Sequence, residues 1–327
     1  MKRAVALTCK WAMESPEQMT NLSDFLLRCY PGDLDGVVAV RAALERICRV
    51  HIEHGLADTN FEAQLCSSDN ARFWQHLSEA LFSYELLQAG LDLRPTGDSG
   101  PDLLVIYEGR KIWIEVICPE PKGLPNDWLE ARQGVAIKRP NAEILLRWTA
   151  AIKEKAQKLL GNTDDGRMGY LGNGIVAPND AYVIAVNARL LRGDHFPSIT
   201  GISQSPFAVE AVLPVGPFAI QIDRRTMETV GSGHQYRPTV QKSSGSRVLT
   251  ETFLDPRYSR ISAILAADID ESAVIGSTKP MAIVHNPNAI NPVPIGLLPA
   301  FSEYVASLGQ DELSVERKPG RLAHPGS

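Results

Sequence analysis

The 327-residue sequence predicts an α/β fold: a mixed central sheet flanked by helices, with a helical N-terminal extension and strand-rich C-terminal additions. Three observations predict it. Stretches 34–54, 70–89 and 141–160 carry apolar residues at helical spacing. Short β-type segments alternate with helices from residue 91 onward. One of them, Ala181 to Ala188, is almost wholly apolar, as a strand buried on both faces must be.

Residues 15 to about 70 read as a helical layer. Ser15-Pro16-Glu17 joins a cap to a proline at the first helical position. Pro31-Gly32-Asp33 breaks that helix. The next runs over 34–54, with Val38, Ala42, Leu44, Ile47, Cys48 and Ile52 at helical spacing and Gly55 at its end. His51 and His54 fall in its last turn, where imidazoles suit the free carbonyls of a helix C-terminus. The 70–89 helix, closed by Gly90, carries Phe73, Trp74, Leu77, Leu81, Phe82, Tyr84, Leu86 and Leu87 almost all round, which marks it as buried.

Strands follow at 91–95, 102–107 and 111–117, the last two joined by a tight turn at Glu108-Gly109-Arg110. Pro119 and Pro121 stop the third strand, and the long 141–160 helix comes after a Pro- and Gly-rich loop. Gly166, Gly169, Gly172 and Gly174 keep the following segment a loop; with no Lys-Ser/Thr after them it is not a P-loop. Further strands are expected at 207–213, 218–222, 261–268 and 281–285. A long mobile loop is expected over 231–247, and a frayed tail from 317.

Composition bounds the function. Hydrophobic residues at 44% and charged residues at 22% allow a sizeable core and exclude global disorder. With 33 Lys+Arg against 38 Asp+Glu, the net charge of −5 excludes a wholesale basic surface and leaves only a local basic groove. The five cysteines form no CxxC pair, so neither a zinc site nor a disulfide framework is indicated. The N-terminus starts like a signal peptide, but Lys10 and Glu14 interrupt it. No run reaches the ~18 apolar residues that a membrane span needs. The expectation is a cytoplasmic protein with no membrane partner.

The chemistry concentrates between Glu79 and Lys155. Asp102 opens one strand, directly after Gly100-Pro101, and Glu115 lies inside the next, Ile112-Trp113-Ile114-Glu115-Val116-Ile117-Cys118. Alternation puts Trp113, Glu115 and Ile117 on one face and Ile112, Ile114, Val116 and Cys118 on the other. A carboxylate in so apolar a strand costs several kcal/mol to bury without a partner. On the 141–160 helix, Lys155 interrupts the stripe Ile144, Trp148, Ala151, Ile152 and Leu159, with Arg147 at its edge; it either snorkels to solvent or meets a buried carboxylate. Lys153 and Lys158 are expected to point elsewhere. Glu79 points along the apolar face of the 70–89 helix, while Glu85 is more easily solvated.

Glu79, Gly100-Pro101-Asp102 and Ile114-Glu115-Val116-Ile117, in that order, resemble the PD-(D/E)xK nuclease superfamily, the restriction-endonuclease-like fold. The spacing is similar to that of archaeal Holliday-junction resolvases. The family core is a helix, three strands, a helix and a strand, and the likeness spans about residues 70–188. It implies a nuclease-like α/β core over 70–188; the residue patterns add a helical region over 1–69, a strand-rich extension over 189–312 and a flexible tail over 313–327. It also implies that Asp102, Glu115 and the Val116 carbonyl hold Mg²⁺ or Mn²⁺, with Glu79 completing or orienting the shell. The expected activity is hydrolysis of phosphodiester bonds in nucleic acid, DNA first, in DNA processing or defence. Arg147, Lys138 and Arg139 are the candidate phosphate contacts.

One departure stands out. The family's lysine two positions after the glutamate is Ile117 here, and Lys155 is the natural relocated candidate. If no lysine reaches the site, the alternative is a catalytically inactive nucleic-acid-binding or protein-interaction module on the same fold. The segment from 206 to 299 is left to extend the sheet, cover the active face or form a homodimer contact.

Overall fold

In the computed structural model, which describes residues 22–97, 99–130, 134–162, 166–271, 279–309 and 313–323, four helices precede the first strand. They are α1 (Leu22–Cys29), α2 (Asp35–Glu53), α3 (Phe61–Leu65) and α4 (Asn70–Gln88). The helix-start signal at 15–17 and the signal-peptide-like start lie outside the described residues. The α4 helix begins where Asp69 accepts hydrogen bonds from the Ala71 and Arg72 amides, and it ends before Gly90, whose φ of 72° suits glycine. Its burial on most sides is as expected from its sequence.

Then come β1 (Asp92–Arg94), β2 (Leu103–Tyr107) and β3 (Arg110–Ile117), followed by α5 (Asn126–Leu129), α6 (Asn141–Leu160) and β4 (Ala181–Asn187). The second half holds α7 (Phe207–Val212), β5 (Val215–Ile222), β6 (Thr229–Tyr236), β7 (Thr239–Gln241) and β8 (Arg247–Leu249). It closes with β9 (Ala263–Ala267), β10 (Met281–His285), β11 (Ser302–Leu308) and β12 (Leu313–Pro319).

Eight strands form one sheet in the order β1-β2-β3-β4-β9-β10-β11-β12. The β1–β2–β3 meander is antiparallel, whereas β3, β4 and β9 run parallel to one another. Crossovers between parallel strands require intervening elements; α6 supplies that between β3 and β4. The sheet is therefore mixed, with helices on both faces. One core joins the N-terminal helices to Ile112, Ile114, Val116 and Cys118; the other joins α6 and α7 to Trp113 and Ile117. This is the alternation expected along β3. Among the described residues, no helix is long and apolar enough to cross a membrane.

Several segments differ from expectation. Residues 207–213, expected as a strand, form α7: all six of its residues are buried, so the periodicity that would separate helix from strand is absent. Residues 231–247, expected as a mobile loop, contain most of β6 and all of β7, and β8 begins at Arg247; ladder pairing uses main-chain groups, which Gly and Ser carry as well as any residue. The tail expected to fray instead contains β12, paired antiparallel with β11 from Ser302↔Pro319 to Leu308↔Leu313. Residues 324–327 lie outside the described residues. The sequence past residue 189 thus extends the central sheet through β9 to β12.

Candidate active site

The register of β2 on β3 pairs Leu103 with Ile114, so one step outward sets Asp102 opposite Glu115. A hydrogen bond fixes this end of the hairpin: the Val116 amide donates to Asp102 Oδ2 at 2.6 Å. Glu115 itself is fully buried. From α6, Lys155 Nζ donates to Glu115 Oε1 at 2.8 Å and Lys158 Nζ donates to the same oxygen at 2.7 Å. Glu115 Oε2 is buried and accepts no hydrogen bond.

The two lysines are not equivalent. The Lys155 side chain is 6% exposed and that of Lys158 45%. The expectation that Lys158 points elsewhere is corrected: residues three apart share a helix face, and the long side chain bends down to the carboxylate. Burial works against its charge, yet Glu115 outweighs burial and holds the Lys158 ammonium above its ordinary pKa. Glu85 also departs from expectation, being buried with both carboxylate oxygens accepting from Lys279 at 2.8 and 2.7 Å.

The α4 helix completes the site with residues that the sequence reading passed over. Gln75 Nε2 donates to Glu79 Oε1 at 2.9 Å and to the Val116 carbonyl at 3.1 Å, while its Oε1 accepts from the Cys118 amide at 3.0 Å. One amide thus ties α4 to the end of β3. His76 Nδ1 lies 3.1 Å from Glu79 Oε2. Burial opposes charge on both partners, but their mutual attraction prevails and holds His76 above and Glu79 below their ordinary values. The helical signal for Gln75 was available, since it sits one turn before Glu79 on the same face.

Asp102 feels the opposite balance. Burial, then the neighbouring Glu115 and Glu79 carboxylates, push its carboxyl from 3.8 up to about 8. Tyr170, from the glycine-rich loop after α6, belongs to the same electrostatic neighbourhood: burial, Glu115 and Asp102 together raise its phenol. Its backbone is set by a hydrogen bond from the Tyr170 amide to the Lys158 carbonyl at 2.8 Å.

A cleft of about 540 Å³ opens onto Asp102, Glu79, Lys155 and Lys158. His51 from the end of α2 lines it too. Its Nδ1 lies 2.8 Å from Ser83 Oγ, and burial lowers its pKa to about 4, so the ring is neutral at neutral pH. His54 bonds the Val50 carbonyl instead, as expected at a helix end.

The three candidate phosphate contacts do not line this cleft. Arg139 donates to the Thr200 and Ser198 carbonyls and stacks on Phe207, and Arg147 donates to the Glu120 carbonyl at 2.8 Å. Both guanidiniums therefore brace loops. Lys138 is exposed.

Among the described residues, no three His, Cys, Asp or Glu side chains converge as a ready metal-ligand set. What Asp102, Glu115 and the Val116 carbonyl offer is a sparse all-oxygen set, of the kind that suits a cation retaining most of its waters. Compared with known proteins, the chain matches no family model, no curated protein and no solved structure.

Proposed function

We propose that this chain is a metal-dependent nuclease of the PD-(D/E)xK kind, hydrolysing phosphodiester bonds in DNA. The observation that carries the reading is the Glu115–Lys155–Lys158 cluster, which puts a lysine ammonium 2.8 Å from a buried carboxylate that faces Asp102 across a hairpin. Two lysines from α6 thereby stand where Ile117 leaves the family motif empty. A purely structural ion pair needs one cation; here two converge on one oxygen, beside a buried Oε2 without a hydrogen bond and a second carboxyl, Asp102, across the hairpin.

Asp102, Glu115 and the Val116 carbonyl would hold Mg²⁺ or Mn²⁺, with Glu79 oriented behind them by Gln75 and His76. Such an ion supplies Lewis-acid charge at the phosphoryl group. Lys155 holds Glu115 in place through its 2.8 Å hydrogen bond, because its own head is enclosed. Lys158, the more exposed of the two, donates toward the charge that develops on the phosphoryl oxygens. Gln75 holds the Val116 carbonyl at a fixed distance from α4, so the site does not have to reorganise during reaction.

Incubating the protein with labelled DNA and Mn²⁺ tests this directly. Cleavage is expected, and Asp102→Ala or Glu115→Ala is expected to slow it by at least ~100-fold. Cleavage that persists unchanged in both variants, or none by the wild type on any DNA form, removes the proposal.

A further inference from the structure

The depth of the cleft bears on which form of nucleic acid enters it. Glu115 has no exposed surface and Lys155 is 5% exposed, so this ion pair lies at the floor of the cleft that Asp102 and Lys158 also line. The N-terminal helical layer builds one wall. Residues 55–58, between α2 and α3, line the cleft together with Pro95, Thr96 and Gly97 of the loop after β1. Glu154 and Lys158 of α6 form the facing rim. A duplex presents its phosphates on a broad convex rod, whereas a single strand can be drawn toward a buried site one phosphate at a time.

Charge leads to the same conclusion. Asp58, Glu79, Asp102 and Glu154 are acidic residues lining the cleft, against Lys155 and Lys158 as its only lysines or arginines among the described residues. Both lysines are engaged with Glu115. Duplex binders neutralise roughly 6–10 phosphates; this cleft has cations for about two.

Resting on the nuclease reading, we propose that the substrate is single-stranded nucleic acid: a free strand or the unpaired arm of a branched or frayed duplex, threaded into the cleft one strand at a time. A strand brings its phosphates in singly, bends at each backbone bond and needs no base pair broken at the enzyme. Pro95, exposed in the loop after β1, gives bases apolar surface, while Asp58 and Glu154 disfavour gathering several phosphates together.

Full-length protein with Mn²⁺ is given four matched substrates: a DNA strand, an RNA strand of the same sequence, the blunt DNA duplex, and a duplex with one unpaired arm. Cutting of the DNA strand, with or without the RNA strand, is expected, cutting of the arm alone in the armed duplex, and blunt-duplex cutting at least ~10-fold slower, a barrier difference of ~1.4 kcal/mol. The DNA and RNA arms separate the two sources of the same backbone chemistry. The salt dependence of strand binding is expected to be shallow, a log–log slope near −1.4 for about two neutralised phosphates at ~0.7 each.

Cutting in the interior of the blunt duplex at the strand's rate overturns this inference while leaving the nuclease reading standing. If nothing is cut, the nuclease reading fails, and fluorescence anisotropy on the same substrates decides the rest. Strand bound at least ~10-fold tighter than duplex sustains the threading geometry, and equal or tighter duplex binding overturns it.

Discussion

At the scale of single residues, the site is a contest between burial and charge. Asp102 lies among carboxylates and is pushed up to about 8, while His76 and Glu79 settle into a charged pair. The Asp102 shift is a statement about stability. Its carboxyl is raised in the fold, so between pH ~4 and ~8 the native state binds a proton that the unfolded chain has lost. Unfolding free energy therefore falls as pH rises through that window, by up to ~1.4 kcal/mol per pH unit for one group. Asp102→Asn keeps an acceptor for the Val116 amide and removes the titration. Relative to this variant, the wild type is expected to lose melting temperature from pH 5 to pH 8 (about the stated window), and Mg²⁺ to restore it most at the alkaline end. Thermal melts of both proteins with and without Mg²⁺ check this, and parallel pH profiles would contradict it. Glu115, Lys155 and Glu79 are legible because each interrupts an apolar pattern, which is costly without a reason, and Asp102 because it follows Gly100-Pro101 at the opening of a strand. Lys158 sits three residues from Lys155 on the same helix face, but the bend that brings its ammonium to Glu115 is a side-chain freedom that periodicity does not encode.

Elements were legible where length and end signals agree. The α6 helix spans the expected 141–160 and β10 the expected 281–285. The short segments failed for physical reasons: α7 is six buried residues with no polar face, and β12 is an edge strand held by backbone pairing along an exposed, charged sequence. The glycines after α6 mark a loop in the sequence, and the structure gives them a task. Gly169 packs so closely on the end of α6 that a Cβ there would collide with the Leu159 carbonyl and the Gly161 amide nitrogen. This contact lets the Tyr170 and Leu171 amides donate to the Lys158 and Leu159 carbonyls, capping the helix that carries both lysines. Gly169→Ala is expected to destabilise the protein by ~1–3 kcal/mol through overpacking and to weaken cleavage beyond that loss, because Lys158 and Tyr170 shift together. Urea melts set beside single-turnover rates at full folding separate the two effects; a variant as stable and as active as wild type would remove this role for the loop.

At the scale of the whole molecule, a boundary near residue 188 suggested by the resemblance runs through the middle of one sheet. Strand β4 is buried along its whole length and is flanked by β3 and β9, with Val183 to Asn187 paired to Ala263 to Ala267. The main chain between them closes further, since the Ala188 amide donates to the Ala267 carbonyl at 2.7 Å and the Ser262 amide to the Tyr182 carbonyl at 2.7 Å. Side chains lock the same seam: Asn187 Nδ2 donates to Ser78 Oγ on α4 and to the Ile269 carbonyl, and Arg192 engages Asp268 and Asp270. Both cores cross this seam, because β9 contributes Ala263, Leu265 and Ala267 to one and Ile264 and Ala266 to the other. A chain ending at residue 188 would leave β4 as a bare apolar edge and strip the Asn187 side chain of its two Ile269 backbone partners, which invites aggregation. Such a fragment is expected to be insoluble or to unfold without a cooperative transition, whereas the full chain unfolds in one step with tryptophan fluorescence and far-UV circular dichroism coinciding. A soluble 1–188 fragment with a sharp melt and dispersed amide resonances would show instead that the site's half of the sheet folds alone. Coincident transitions in the full chain with no such fragment would mean that the later strands are part of what holds Asp102 against Glu115.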